Sequence, residues 1–431
     1  LKDMQEKTKE TGLGFADQLP MPDVLPSELR NPRHEEMVKY KEMFFDPRYD
    51  GFASELELIT DMPFKTSKEI EDSPLGVGFE LLDHRNGYDF NKVLPFARNS
   101  GVKWARLQSG WQRTEREKGV YDFAWLDSVV DNLIAIGVEP WLCLCYGNDL
   151  YTEMAKVHFG AVGCVPIHSE EEKQAWRNYV HATVSHFKGR IHRYEVWNEP
   201  DGQKANTPAI MAELLINTAE VVRKENPKAK IYALGLAAPN CAYIKEVLDI
   251  LKSRGKLHLI DKVTFHAYYP NPDNATVAMK AFRNLVQSYR ADLEVFHGEV
   301  GCPSNYEYGH AMKYNEWDEY KQAKWDLRRM ANDFAMNIPT SIFSLVDLQY
   351  PNLLQSFGLV RMNLMHEPMY KRPVYYAVQH FTRLLHDGIQ PVEVKCQAFT
   401  NSEIKCVGLA NKNGEKIGVM LWKSDLVPTD N

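Results

Sequence analysis

Two short runs place carboxylates where chemistry could use them. The first is Tyr194, Glu195, Val196, Trp197, Asn198, Glu199 and Pro200; the second is Phe296, His297, Gly298, Glu299, Val300 and Gly301. Each closes an apolar, strand-like stretch. Pro200 cannot donate to a ladder, so Asn198 and Glu199 stand at the end of their strand. In the second run, period-two alternation predicts Leu293, Val295, His297 and Glu299 on one face. Gly298 and Gly301 bracket Glu299 and would leave room for a ligand to approach. Two carboxylates facing each other across a cleft are what glycosidic cleavage needs. One protonates the leaving oxygen, and the other deals with the anomeric carbon. Either glutamate alone would read as a solvated loop end. The pair, with Asn198 beside one member, points to catalysis.

The elements that must hold this pair are legible between about residues 73 and 387. Short apolar runs begin at Leu75, Val102, Val138, Ile191, Lys230, Lys262, Leu293 and Ser341, with amphipathic helical stretches between them. Ser169 and Glu172 form a capping-box pair ahead of the face made by Trp176, Val180, Val184 and Phe187, and Gly189 supplies a stop. Thr207 and Pro208 open the next helix, which halts before Pro227. A third runs from Phe123 to Ile136 and ends at Gly137. Eight such units predict an α/β chain folded as a (β/α)8 TIM barrel, in which working groups sit at the carboxyl ends of strands. Strands four and seven lie across the barrel mouth from each other, so Glu199 and Glu299 would face one another.

The ends differ from this pattern. Residues 1–72 are rich in proline and charge, with one strand-like piece near Leu56 to Thr60, and read as an N-terminal extension. Residues 388–431 read as a small accessory β element, a hairpin with its turn at Asn411 to Gly414, on which part of the N-terminal segment would pack. The chain stops soon after a strand begins to repeat, as a piece of a longer β-domain would. Its first residue is Leu1, which leaves location open between the cytoplasm and a secreted or periplasmic protein without its leader.

Composition excludes more than it selects. Among 431 residues, 51 Lys and Arg stand against 58 Asp and Glu, a formal charge of −7. That balance argues against a nucleic-acid or acidic-membrane partner. No apolar run approaches the roughly 18–20 residues needed to span a bilayer. Seven cysteines without paired CxxC spacing fit neither a zinc site nor a disulfide framework; Cys396 and Cys406 could pair, though buried thiols are the simpler reading. No GxGxxG or GxxxxGK[ST] follows a strand, so no nucleotide cofactor is expected. The aromatic share of 11% suits sugars or simply a large core.

The run Trp197-Asn198-Glu199-Pro200, with Glu299 at the seventh strand end, resembles a clan of retaining barrel glycosidases, and most closely glycoside hydrolase family 39. The likeness extends to FSLVDLQ around Asp347, to FGLV and to RPVYYAVQ, and covers most of residues 75–380. It implies that Glu199 is the acid/base, Glu299 the nucleophile, and Asn198 a hydrogen-bond partner of the sugar's 2-hydroxyl. Arg106 matches the clan's strand-two arginine, which steadies the nucleophile, and His266 with Tyr268 matches its strand-six His-x-Tyr. Phe343 stands where the family tends to carry Trp.

Further sugar-binding candidates stand at other strand ends: Glu80, Trp111, Gln112, Tyr146, Asn148, Tyr151, His297, Asp347 and Gln349. Aromatic rings stack on sugar faces, while amides and carboxylates hold hydroxyls; core or rim packing is the competing reading for each ring. Lys204 and Arg113 are the basic residues that a uronate would call for. No HxxxH or triple-ligand spacing suggests a metal, so none is expected. The expected reaction is hydrolysis of an oligosaccharide or glycoside through a covalent glycosyl-enzyme, exo-acting on a β-xyloside, β-glucoside or β-galactoside. The alternatives are a non-catalytic carbohydrate-binding protein on the same barrel, and a transglycosylase. Oligomeric state is left open.

Overall fold

In the computed structural model, residues 63–84, 87–307, 309, 311–350, 353–394 and 404–424 are described. The eight apolar runs become the strands of a closed barrel: β1 (Leu75–Gly78), β2 (Trp104–Gln108), β3 (Glu139–Leu144), β4 (Arg193–Val196), β5 (Lys230–Leu236), β6 (Lys262–His266), β7 (Glu294–Val300) and β8 (Thr340–Ile342). Every neighbouring pair is parallel, and β1 closes the ring by pairing with both β2 and β8. The expected (β/α)8 barrel is therefore present.

Helices α1 (Phe90–Ser100), α2 (Ala124–Ala135), α3 (Glu170–His186), α4 (Pro208–Glu225), α5 (Cys241–Ser253), α6 (Ala275–Tyr289), α7 (Glu319–Ala335) and α8 (Pro373–Leu384) surround it. Their ends follow local chemistry. The Ser169 hydroxyl accepts from Glu172 N, and the Glu172 carboxylate returns to the Ser169 backbone, completing the capping box that starts α3. Thr207 caps α4 ahead of Pro208, and α2 gives way to Gly137 in the left-handed region.

Side chains inside the barrel stack in layers, as alternation along strands requires. Trp141, Tyr232 and Phe296 plug the amino-terminal end, with Trp141 centred 5.5 Å from Tyr232 and 5.2 Å from Phe296. Above them lies a polar layer of Arg106, Glu195 and Thr264, the guanidinium resting 5.7 Å over the Trp141 ring. The working end is built on that layer.

Helix α8 seals the ring against α1: Tyr375 donates to Phe96 O, Gln379 to Asn99 O and Thr382 to Ser100 O. Beyond it a three-stranded antiparallel sheet forms from β9 (Gln390–Val392), β10 (Ile404–Ala410) and β11 (Lys416–Lys423). It includes the hairpin expected around Asn411, and Trp422 Nε1 ties it to Asp273 Oδ1 on the barrel at 2.9 Å. The strand-like piece at Leu56 to Thr60, and Cys396 of the pairing considered above, lie outside the described residues. Among the described residues, no helix is long and apolar enough to cross a membrane.

Candidate active site

The segment after β4 leaves the ladder abruptly. Trp197 (φ 71°) and Glu199 (φ 49°) both lie in the left-handed region, a conformation that non-glycine residues hold only when their surroundings impose it. Here the neighbours do so. Trp197 N donates to Leu144 O of β3, and Glu199 N donates to Gly235 O of β5 at 2.7 Å. The Trp197 ring meets Tyr146 and Trp176 edge-on, 5.8 and 6.0 Å away. The turn thus aims Asn198 and Glu199 over the barrel mouth.

Glu299 arrives by a different device. Phe265 pairs with His297 and His266 with Glu299, so Gly298 is an extra residue, a bulge in β7. The bulge puts His297 and Glu299 on opposite faces, contrary to the simple alternation. His297 points away from the barrel interior, stacked on Phe265 and bonded through Nδ1 to Asp333 Oδ2 of α7 at 2.8 Å. It is a packing residue and not a sugar ligand. Gly301 likewise makes room for protein: a Cβ there would lie 2.0 Å from Phe343 O, whereas one on Gly298 would make ordinary contacts with Glu195, Thr264 and Trp141 at 3.4 Å.

Arg106 organises what remains. Its side chain is fully buried and donates to Glu195 Oε2 (2.8 Å), Glu299 Oε2 (2.6 Å) and Asn198 Oδ1 (2.6 Å), with Glu80 Oε1 3.5 Å away. Tyr268 OH donates to the other Glu299 oxygen at 2.9 Å. Both oxygens of Glu299 are thus held in place by hydrogen-bond donors. Asn198 has spent its acceptor on Arg106, which leaves its amide hydrogens to donate. Glu195 and Thr264, whose hydroxyl donates to Glu195 Oε1 at 2.5 Å, were missed in the sequence, as was Gln108, which donates to Tyr146 OH at 3.1 Å. Glu195 carried a readable signal: a charge midway along an apolar barrel strand needs a buried partner.

His266 joins the two carboxylates. Its Nδ1 lies 2.7 Å from Glu199 Oε1 and 3.8 Å from Glu299 Oε1. Burial pushes the imidazole down, but the charge of Glu299 and the bond to Glu199 outweigh it and raise its affinity for a proton above the ordinary value. Burial pushes Glu199 up, yet the bond and charge of His266, with Arg106 behind, leave its carboxyl below the usual carboxylate value. This reverses the raised value that an acid suggests. The proton of the pair rests on the imidazole, one hydrogen bond from Glu199. Glu80 differs: burial, then the charge of Glu299, push its carboxyl up to about 8 against the pull of Arg106.

The remaining candidates divide. Tyr146 is at the site, buried beside Gln108 and Trp197. Trp111 is fully buried, stacked between Tyr151 and Tyr179 with Nε1 on Glu115, and belongs to the core. Asn148 spends its amide on Glu115 O and its oxygen on Leu150 N, fixing a turn. Tyr151 donates to Glu115 Oε1. Asp347 forms a buried bidentate pair with Arg372 at 2.6 and 2.9 Å and accepts from Gly358 N and Met362 N, so it anchors the loop after β8 instead of touching a sugar. Arg113 is engaged by Leu82 O and His84 O and lies 4.5 Å over Trp125. Phe343 packs edge-on against Phe357. Apart from Tyr146, these side chains are turned to the scaffold, which a position near a strand end does not reveal.

Glu199, His266 and Glu299 each bring one ligand-type atom within 4.8 Å of the others, the arrangement among the described residues that could hold a cation. The Arg106 guanidinium bonded to Glu299 opposes a second positive charge there. What the geometry can do without one is hold the Glu299 carboxylate, fixed by Arg106 and Tyr268, beside a proton-carrying carboxylate–imidazole pair.

The curated β-xylosidase of Geobacillus stearothermophilus is 25% identical over 162 residues, spanning 35% of this chain and 31% of its own length. A family 39 glycoside hydrolase from the gut symbiont Bacteroides cellulosilyticus WH2 superimposes with a TM-score of 0.67 at 19% identity, covering 84% of this chain and 73% of that one. A β-xylosidase from Caulobacter crescentus gives 0.57 at 17% identity, covering 81% and 79%. At these identities the two structures share the fold. The model of glycosyl hydrolases family 39 matches residues 73–295, more than half of the chain, and the chain belongs to that family.

Proposed function

We propose that this chain is a retaining glycosidase that cleaves β-xyloside-like substrates by double displacement. The spacing of Glu199 and Glu299 carries the reading: an oxygen of each lies within 4.8 Å of the other. Inverting enzymes need roughly 6.5–9.5 Å between carboxyl groups, to admit a water between carboxylate and sugar. In the first step Glu299 attacks the anomeric carbon and forms an ester as the glycosidic bond breaks. Glu199, given its proton across the bond from His266, protonates the departing oxygen. Arg106 and Tyr268 hold and aim the Glu299 carboxylate, and the amide hydrogens of Asn198 meet the sugar's 2-hydroxyl. In the second step Glu199 takes a proton from water, whose oxygen displaces Glu299. Two inversions retain the β configuration. The likeness to the Geobacillus stearothermophilus β-xylosidase supports a xylose-like glycone.

The test is Glu299→Gly on an aryl β-xyloside. Hydrolysis should fall by at least a thousandfold, and added azide should restore turnover with an α-glycosyl azide as product. Full activity in the variant overturns the assignment of Glu299. Calorimetric sugar binding by the unaltered protein, with no turnover of any aryl glycoside, would favour a carbohydrate-binding protein instead.

A further inference from the structure

Three carboxyl groups meet one guanidinium beneath the barrel mouth. Glu195 reaches Arg106 at 2.8 Å, and its other oxygen accepts from the Thr264 hydroxyl at 2.5 Å. Glu299 reaches Arg106 Nη1 at 2.6 Å, and its other oxygen accepts from Tyr268 at 2.9 Å. Glu80 shares that same Nη1 from 3.5 Å, and its Oε2 has no partner. Its carboxyl folds back over β1, into space that a Cβ on Gly78 would contest. Little water reaches this layer: the Glu80 side chain is 4% exposed, and those of Arg106 and Glu195 are wholly buried.

One positive charge does not hold three carboxylates out of water. The proton stays on the member with the fewest donors, and the distances single out Glu80. Burial, then the charge of Glu299, raise its proton affinity in the same sense, against the pull of Arg106. The phenols that feel its charge, Tyr88, Tyr268 and Tyr350, are raised by burial as well. They keep their protons, which leaves Glu80 as the group that exchanges one.

The reaction upsets this balance. When Glu299 becomes an ester its charge is gone, and Arg106 Nη1 loses the nearer of its two carboxyl partners. The repulsion that kept a proton on Glu80 disappears while the attraction of the guanidinium stays.

We propose that Glu80 is a proton store for the nucleophile: it is neutral in the free enzyme, releases its proton to solvent while Glu299 is esterified, and takes one back when water frees Glu299. The net charge around Arg106 then stays the same through both steps. This deepens the glycosidase reading above and rests on it.

The test traps the ester with 2,4-dinitrophenyl 2-deoxy-2-fluoro-β-xyloside, or with the corresponding β-glucoside, in weakly buffered solution at neutral pH. The bond from the anomeric carbon to the leaving oxygen breaks, one from that carbon to Glu299 forms, and dinitrophenolate departs without needing a proton. Any proton that appears therefore comes from the protein. An indicator dye counts protons and mass spectrometry counts trapped molecules, so unfolded protein drops out of the ratio. The His266–Glu199 pair contributes to wild type and Glu80→Gln alike and cancels in the difference. Expected is an excess of about half a proton or more per ester in wild type over Glu80→Gln. Equal release by the two proteins overturns the store while leaving a glycosidase. If Glu80→Gln forms no ester, the infrared difference spectrum of wild type on trapping decides, because the other proton sits on His266. Loss of a carboxylic-acid band supports the store, and no loss overturns it. Wild-type protein that gains no sugar mass from either compound overturns Glu299 as nucleophile, and the store with it.

Discussion

Arg106 donates from its guanidinium to Glu195 at 2.8 Å within the barrel, and both side chains are wholly buried. This bond fixes one edge of the guanidinium from below, and its other nitrogens reach Asn198 and Glu299 at 2.6 Å. The position of the proposed nucleophile thus depends on a carboxylate that never reaches the mouth.

Glu195→Ala should therefore damage both folding and catalysis. Breaking a buried pair costs about 3–5 kcal/mol, and kcat/KM on an aryl glycoside should drop at least a hundredfold. Glu195→Gln keeps the shape and should lose less of each. Denaturant unfolding and steady-state rates, measured on both variants, check this; wild-type rates in Glu195→Ala would refute the dependence.

The proton shared by His266 and Glu199 sets a pH limb. His266 holds it above the ordinary histidine value of 6.5, and loses it as pH rises. The alkaline limb of kcat/KM should therefore lie above pH 6.5. In His266→Gln only the carboxyl is left to hold the proton, so the limb should move to lower pH by about one unit or more. A limb that stays in place would remove His266 from the proton path.

Glu80 makes stability fall with rising pH. Its folded-state value of about 8 exceeds the ordinary 4.5, so the folded chain keeps a proton that the unfolded chain has lost. The contribution is fully present below pH 4.5 and is lost as pH rises through 8, at about 1.4 kcal/mol per pH unit within that window. Glu80→Gln should flatten this slope, as read by denaturant midpoints between pH 5 and 8. Parallel slopes in the two proteins would show that Glu80 is ionised.

His297 should report on packing alone. Removing its bond to Asp333 by His297→Leu costs about 1–3 kcal/mol. Asp333 keeps Arg329 and the Thr340 hydroxyl, so the fold should survive, with kcat/KM within about threefold of wild type. A hundredfold loss in folded protein would return His297 to the site.

How far the site was legible varies residue by residue. Glu199, Glu299, Asn198, Arg106, His266 and Tyr268 are brought into one cluster from four strands, as motif and family resemblance implied. His297 was misplaced because one inserted residue, Gly298, reverses the alternation, and a bulge leaves no mark in apolar periodicity. Trp111, Asn148 and Asp347 were misplaced because standing near a strand end does not say which way a side chain turns; each spends its polar groups on the scaffold.

The sequence by itself determined the barrel: eight apolar runs with capped helices between them leave few other ways to bury both faces of a parallel sheet. It also determined which residue types meet at the mouth, because strand number sets angular position around a closed ring. Tertiary structure alone decided where the protons and charges rest. That depends on burial and on groups brought together from across the chain: His266 beside Glu199, and Glu195 beneath Arg106. Electrostatic energy varies with distance and dielectric surroundings, and neither is a property of residue order.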